Sequence, residues 1–194
     1  SCQQEALRMG VCTSTRRRLA LNRFKLDENT SLGKGSFGKT IRAVDCGQRP
    51  PVTIAAKMIE LSGTMRRADI EREVALTQAA KSDHVIDVLS AGELEGNRYG
   101  IFMELCERGE LFGLVMERGV LLEDHARQLF AQWMDATVHI HSIGLVHRDM
   151  KLENVLLKSD GSLRLIDFGL AHQFPKDSKG KPKENLLREC CGSM

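Results

Sequence analysis

The chain has 194 residues, of which 42% are hydrophobic and 28% are charged, an ordinary balance for a soluble globular protein. Its net charge of +2 is too near neutral to indicate a nucleic acid or an anionic membrane as a partner, and we expect neither. No apolar run approaches the roughly 20 residues that a membrane-spanning helix needs.

The cysteine pattern and the first 23 residues indicate the cellular compartment of the protein. The six cysteines include no Cys-x-x-Cys pair and no histidine partner at zinc-like spacing. We therefore expect reduced thiols and a cytoplasmic or nuclear location. Residues 1–23 lack the apolar core of a signal peptide, and we interpret them as a polar N-terminal extension. Because the first residue is Ser1, we expect the sequence to be a piece of a longer protein.

A glycine-rich stretch comes next. Gly33, Gly35 and Gly38 form the pattern G-x-G-x-x-G, in which glycines let the backbone approach phosphate groups closely. A dinucleotide-binding fold would need a helix directly after the third glycine. Here the alternating, β-branched run Thr40–Val44 follows, and two consecutive prolines shortly after it prevent a helix. The pattern therefore favours a strand–loop–strand hairpin.

The middle of the chain alternates between strand and helix patterns. Val52–Lys57 predicts a strand, and Met65–Lys81 predicts a helix with one apolar side. Val85–Leu89 and Tyr99–Leu105 predict two further strands, which a turn at residues 93–97 joins.

The clearest helix is predicted over Leu122–Ser142, and Gly144 ends it. Its apolar residues recur at steps of three and four, as expected for a stripe that faces a core. The stripe consists of Ala126, Leu129, Phe130, Trp133, Thr137 and Ile140.

Two motifs that carry chemistry follow this helix. His147–Asn154 reads H-R-D-M-K-L-E-N, and Asp167-Phe168-Gly169 comes after two short apolar runs. They match the H-R-D-x-x-x-x-N catalytic loop and the D-F-G element of protein kinases. The chain therefore resembles a eukaryotic serine/threonine protein kinase catalytic domain, and most of all the checkpoint-kinase and calcium/calmodulin-dependent kinase group. The resemblance covers residues 24–194 and stops before the A-P-E element.

This resemblance implies an α+β fold with two lobes. Residues 24–103 would form an N-lobe, built from an antiparallel β-rich sheet and one helix. Residues 104–109 would form the hinge, and residues 110–194 a partial helical C-lobe that ends in the activation segment. The activation segment itself would span Gly169–Met194.

The resemblance also implies transfer of the γ-phosphate of ATP to Ser or Thr hydroxyls of proteins, with Mg²⁺. Asp149 would accept the proton of the substrate hydroxyl, and Lys151 would lie against the transferring phosphate. Asn154 and Asp167 would supply hard oxygen ligands to Mg²⁺. The alternative for either motif alone is an ordinary polar turn between two strands.

ATP would be held mainly by Lys57, which grips the α- and β-phosphates and needs a carboxylate partner. The predicted helix offers Glu71 and Glu73, and we choose Glu73 because the sequence around it is more similar to the family's helix. The alternative is that both glutamates are solvated. Met103 would lie behind the adenine. The other residues expected to contact ATP are Leu32, Gly33, Lys34, Gly35, Ser36, Phe37, Gly38, Lys39, Thr40, Ala55, Glu104, Cys106, Glu110 and Leu156.

For the protein substrate, the resemblance implies a preference for basic sequences. Glu110 and Glu153 are acidic at positions where relatives capture an arginine, so we expect Arg three residues before the acceptor. Ser193 stands at the Thr position of the family's C-G-T element and would also contact the substrate.

Two other functions compete with this interpretation. The first is a nucleotide-binding scaffold, or a catalytically impaired kinase fragment. The intact Lys57, Asp149, Asn154 and Asp167 argue against it, whereas the absence of the last third of the domain argues for it. A Rossmann-type dehydrogenase is the other, but it leaves the catalytic loop unexplained.

Overall fold

The structure is a computed structural model that describes residues 23–35, 38–61, 65–175 and 191–192. The described chain divides into two compact units. The first comprises residues 23–35, 38–61 and 89–102, and the second comprises residues 65–88, 103–175 and 191–192. Among the described helices, none is both long and apolar enough to cross a membrane.

The first unit is built on a five-stranded sheet. Its strands are β1 (Phe24–Gly35), β2 (Gly38–Asp45), β3 (Val52–Glu60), β4 (Val88–Leu94) and β5 (Arg98–Glu104). The strand order in the sheet is β1-β2-β3-β5-β4, and β1, β2 and β3 pair antiparallel in chain order.

The core of this unit follows from the period-2 alternation of a strand. In β2, Ile41, Ala43 and Asp45 are buried while the residues between them are more exposed. Phe24 and Phe102 stack with their ring centroids 4.1 Å apart. The core consists of Phe24, Ile41, Ala43, Ile54, Ala56, Met58 and Phe102.

The second unit contains three helices and several short strands. Its elements are α1 (Arg67–Ala79), α2 (Leu111–Arg118), α3 (Glu123–Ser142), β6 (Leu145–Val146), a 3₁₀ helix (Leu152–Asn154), β7 (Val155–Leu157), β8 (Leu163–Leu165) and β9 (His172–Gln173). β6 pairs antiparallel with β9, and β7 with β8.

The β7–β8 hairpin is the centre of the second unit, since backbone hydrogen bonds hold it on both sides. On one side Leu165 N–H donates to His84 O (2.8 Å), and Ile86 N–H donates to Leu165 O (3.1 Å). On the other side Arg108 N–H donates to Leu157 O (3.0 Å). The core beneath it consists of Ala80, Val85, Leu111, Leu129, Ala136, Ile140, Leu145, Val155, Leu157, Leu163, Leu165, Phe168 and Ala171.

The structure confirms the predicted α+β class, both predicted helices and the glycine-rich hairpin. The predicted strand Val85–Leu89 is wrong. Val85 makes a single bridge to Leu165, and the regular strand runs over Val88–Leu94, because residues 84–86 pair with β8 before the chain joins the larger sheet.

The predicted core stripe of α3 is wrong at one position. Phe130 is 61% exposed, while the buried residues of the helix are Leu129, Ala136 and Ile140. The face of α3 that packs against the core is therefore centred to one side of the predicted stripe.

The division into two units groups α1 with the second unit. The predicted lobe boundaries stay a prediction.

Candidate active site

The catalytic motif begins where α3 ends. Gly144 has a φ of 77°, a left-handed conformation that stops the helix, and β6 then leads the chain into His147. Arg148 and Asp167 also have left-handed backbones, with φ values of 68° and 65°. Non-glycine residues hold this conformation only where the surrounding structure imposes it, which is common at functional sites.

His147 is a buried anchor of this segment, with 2% of its surface exposed. The Asp149 backbone N–H donates to Nδ1 (3.3 Å), so Nε2 carries the proton and donates to Ile166 O (2.8 Å). The ring packs edge-on against Phe168, with centroids 4.9 Å apart. Burial lowers the pKa of His147, which keeps the ring neutral. One imidazole thus fixes the catalytic loop against the segment before D-F-G.

Two predicted site residues, Lys151 and Asn154, contact the predicted general base Asp149. Lys151 Nζ lies 2.9 Å from Asp149 Oδ2. Asn154 Nδ2 donates to the same oxygen (2.9 Å) and to the backbone oxygen of Asp149 (2.8 Å). The hydrogen bond to Asp149 raises the pKa of Lys151, so the lysine is a stable cation beside the carboxylate. The loop therefore holds the predicted general base in one orientation.

The two predicted metal ligands lie at the open ends of the hairpin. Asn154 directly precedes β7, and its backbone oxygen accepts a hydrogen bond from Ile166 N–H (2.9 Å). Asp167 is the next residue, and its Oδ1 accepts the Gly169 N–H (3.3 Å). Because the Asn154 amide nitrogen donates to Asp149, the amide oxygen is the atom that would bind the predicted metal ion. One amide oxygen and one carboxylate fit Mg²⁺, which prefers few protein oxygens together with waters and phosphates.

Helix α1 contributes side chains to the D-F-G segment. The position that a Cβ on Gly169 would occupy is 3.7 Å from Glu73 Oε2, so this carboxylate lies beside the motif. Arg72 Nη2 donates to Ala171 O (2.7 Å). Glu71 instead pairs with Arg67 (3.0 Å) on the exposed side of the helix.

Arg148 and Gly192 connect the catalytic loop to later parts of the chain. Arg148 Nε donates to Leu170 O (2.6 Å), just after D-F-G. Gly192, with a φ of 108°, packs so closely that a Cβ would lie 2.8 Å from the Arg148 carbonyl oxygen. Of the predicted activation segment, only residues 169–175, 191 and 192 are described, and the substrate candidate Ser193 lies outside them.

The predicted hinge is tied to β7. Leu157 N–H donates to Gly109 O (2.9 Å), and Glu110 forms an antiparallel bridge with Leu156. Cys106 is buried, and burial raises the pKa of its thiol to about 12. Of the predicted hinge candidates, Glu104 is the last residue of β5 and Cys106 comes just before a turn at residues 107 and 108. Glu110, a predicted nucleotide contact, lies beside Leu156.

The nucleotide candidates of the first unit lie on β1, β2 and β3. Gly33 pairs with Thr40, Lys34 with Lys39, and Gly35 with Gly38, which closes the predicted hairpin. Thr40 also pairs with the half-buried Lys57 on β3, where Ala55 is buried. Leu32 is 41% exposed on β1. Ser36 and Phe37 lie outside the described residues.

The structure thus brings Asp149, Lys151 and Asn154 into direct contact and places Asp167 at the adjoining end of the hairpin. The pairing of Lys57 with Glu73 stays a prediction, since these residues belong to different units. Arg72, which donates a hydrogen bond to the segment after D-F-G, was not among the predicted site residues. A single arginine on a helix carries no periodic signal that would have identified it.

With this fold and this loop, the chain belongs to the protein kinase domain family, whose model matches residues 26–194. The predicted resemblance is confirmed.

Several curated relatives are similar to the chain. NUAK family SNF1-like kinase 1 of Mus musculus is 32% identical over 173 residues, which is 89% of this chain and 25% of the relative. Serine/threonine-protein kinase kin-29 of Caenorhabditis elegans is 32% identical over 181 residues, which is 92% of this chain and 21% of the relative. CBL-interacting protein kinase 9 of Oryza sativa subsp. japonica is 33% identical over 183 residues, 92% of this chain and 38% of that protein. The chain therefore spans less than half the length of each of these relatives.

Proposed function

We propose that this chain is the nucleotide-binding and catalytic part of a serine/threonine protein kinase, which transfers the γ-phosphate of ATP to a protein hydroxyl. The contact of Lys151 and Asn154 with the same oxygen of Asp149 carries this proposal. A carboxylate so held can accept the hydroxyl proton while the neighbouring ammonium faces the charge on the transferring phosphoryl group. The relative kin-29 of Caenorhabditis elegans, which is named a serine/threonine-protein kinase, supports the assignment to Ser and Thr.

ATP and Mg²⁺ are the proposed cofactors. Asn154 and Asp167 would hold the metal ion, which when bound neutralises charge on the phosphate oxygens. Lys57 would bind the α- and β-phosphates, and the glycine-rich hairpin would cover them. The position of Glu73 beside Gly169, with Glu71 engaged by Arg67, supports Glu73 as the carboxylate of this machinery.

The proposed protein substrate carries arginine three residues before the acceptor. Glu110 and Glu153 are both exposed carboxylates of the second unit, and Glu110 is the residue before α2. Exposed carboxylates can form bidentate hydrogen bonds with a guanidinium group.

We also propose a cytoplasmic or nuclear location for the protein, which suits the free thiols of Cys46, Cys106 and Cys191.

The deciding experiment measures binding and transfer separately. Titration calorimetry with ATP and Mg²⁺ reports binding, and transfer from radiolabelled ATP to Ser peptides with Arg or Ala three residues upstream reports catalysis. We expect binding, transfer and a preference for the Arg peptide, with Asp149→Asn losing transfer but still binding ATP. Glu123→Gln, which alters an exposed ion pair with Arg127, is the matched control.

Binding without transfer would favour the nucleotide-binding scaffold, and no binding at all would overturn both functions. Equal transfer to the two peptides would remove the proposed arginine preference while leaving the kinase assignment intact.

A further inference from the structure

The carboxylate of Glu104, the last residue of β5, is directed towards the β7–β8 hairpin of the second unit. Its Oε1 accepts a hydrogen bond from Arg164 Nε (2.9 Å) and another from the backbone N–H of Asp87 (3.0 Å). Its Oε2 lies 3.1 Å from Lys158 Nζ. Together these contacts place two cations and one backbone donor around a single carboxylate.

These ion pairs are shielded from solvent. The side chains of Glu104, Arg164 and Lys158 are 19%, 13% and 27% exposed. The surface pair Arg127–Glu123, by contrast, has exposures of 69% and 85%. Solvent screens an exposed pair almost completely, whereas a shielded, hydrogen-bonded group leaves its partners as uncompensated charges when it is removed.

The Glu104 carboxylate joins three separate stretches of chain. Asp87 follows the segment that pairs with β8, and Glu104 N–H donates to the Asp87 backbone oxygen (3.0 Å). Arg164 lies within β8, and Lys158 directly follows β7. The same hairpin carries Asn154 at one end of β7.

We propose that Glu104 is a positioning residue for nucleotide binding, which holds the backbone of residues 104–106 in register with the β7–β8 hairpin. The inference rests on the proposed function, in which backbone atoms of Glu104 and Cys106 contact the adenine and Asn154 and Asp167 hold the metal ion at the phosphates. The carboxylate then fixes the distance between the adenine end and the phosphate end of one ligand. Without it, Arg164 and Lys158 repel each other and the 104–106 backbone loses its tether.

The test compares two ligands by titration calorimetry: ATP with Mg²⁺, and inorganic tripolyphosphate with Mg²⁺, which lacks the adenosine. For Glu104→Ala we expect ATP to bind about 10-fold more weakly and tripolyphosphate to bind as it does to the unaltered chain. Glu104→Gln keeps an acceptor for the Asp87 N–H and should recover part of the loss. Lys158→Met, at the more exposed of the two cations, should show the same selectivity with a smaller effect.

Glu123→Gln is the matched control and should change neither ligand. Circular dichroism checks that each variant is folded, and if Glu104→Ala is not, then Glu104→Gln and Lys158→Met are judged by the same criterion. A folded variant that binds ATP unchanged, or that loses both ligands in parallel, overturns the inference while the proposed function stands. An unaltered chain that binds neither ligand overturns the proposed function itself.

Discussion

Asn154 Nδ2 donates to both the backbone oxygen and Oδ2 of Asp149, at 2.8 and 2.9 Å. The residue proposed to bind the metal ion is therefore also the residue that orients the proposed base. Lys151 contacts the same Oδ2, so one carboxylate oxygen is fixed from two directions. The loop is preorganised by its own side chains, as efficient proton transfer requires.

The first prediction concerns this double role. Asn154→Ala removes the proposed metal ligand and both hydrogen bonds to Asp149, and we expect the rate of phosphoryl transfer to fall at least about 100-fold. Asn154→Asp should not rescue it, because it replaces an amide donor with a second negative charge beside Asp149. Steady-state transfer to a Ser peptide measures the effect. Gln128→Ala, an exposed amide deletion on α3, is the control, and a loss below about fivefold in Asn154→Ala would contradict the role.

A second prediction concerns pH and His147. Burial lowers the pKa of His147 in the folded chain, so the unfolded chain binds a proton more readily. The contribution of the neutral His147 ring to the stability of the folded chain is therefore fully present above the unfolded pKa of about 6.5. This contribution is lost as the pH falls from there towards the lowered pKa of the folded chain. Urea unfolding at pH 7.5 and 5.5 should show a fall of up to about 1.4 kcal/mol per pH unit from this group.

His147→Asn supplies the comparison, since an amide can accept from Asp149 N–H and donate to Ile166 O without titrating. We expect the variant to lose less stability between the two pH values than the unaltered chain. An equal pH dependence of stability in the variant and the unaltered chain would show that the pKa of His147 does not change on unfolding.

The third prediction concerns thiol reactivity. Burial, and secondarily the charge of Glu104, raises the pKa of Cys106 to about 12, so at pH 8 only about one thiol in 10,000 is the reactive thiolate. Cys46 and Cys191 are exposed. Brief treatment with iodoacetamide followed by peptide mass spectrometry should label Cys46 and Cys191 well before Cys106. Labelling in urea, where burial is lost, should remove the difference, and early labelling of Cys106 in the folded chain would contradict its burial.

The fourth prediction separates two glycines of the same hairpin. A Cβ on Gly38 would overlap the Met58 carbonyl oxygen, whereas a Cβ on Gly33 meets no heavy atom within 4 Å. We expect Gly38→Ala to lower the free energy of unfolding by about 1–3 kcal/mol, because β2 and β3 must separate. Gly33→Ala should stay within about 0.5 kcal/mol. Urea unfolding without nucleotide measures both, and equal stability of the two variants would show that the β2–β3 register differs.

Local patterns predicted most of the elements. The spacing of Gly33, Gly35 and Gly38 with the β-branched run after them indicated a hairpin, and the structure has it. The helices α1 and α3 were predicted because their apolar residues recur with the helical period. What periodicity could not fix was the orientation of a broad stripe. Phe130 lies at the edge of that stripe, and the neighbours that bury Leu129 and Ile140 leave it exposed.

The sequence by itself determined that the chain belongs to the protein kinases. The residues that identify the family lie in two short motifs, 147–154 and 167–169, and their spacing can be read directly from the sequence. The tertiary structure alone decided which contacts those side chains make. The tautomer of His147 depends on its hydrogen bond to the carbonyl of Ile166. The carboxylate of Glu104 accepts a hydrogen bond from Arg164, which is sixty residues later in the chain. Such partners are in contact because packing of the core brings distant strands together. A local sequence pattern does not indicate which distant residue a side chain will contact.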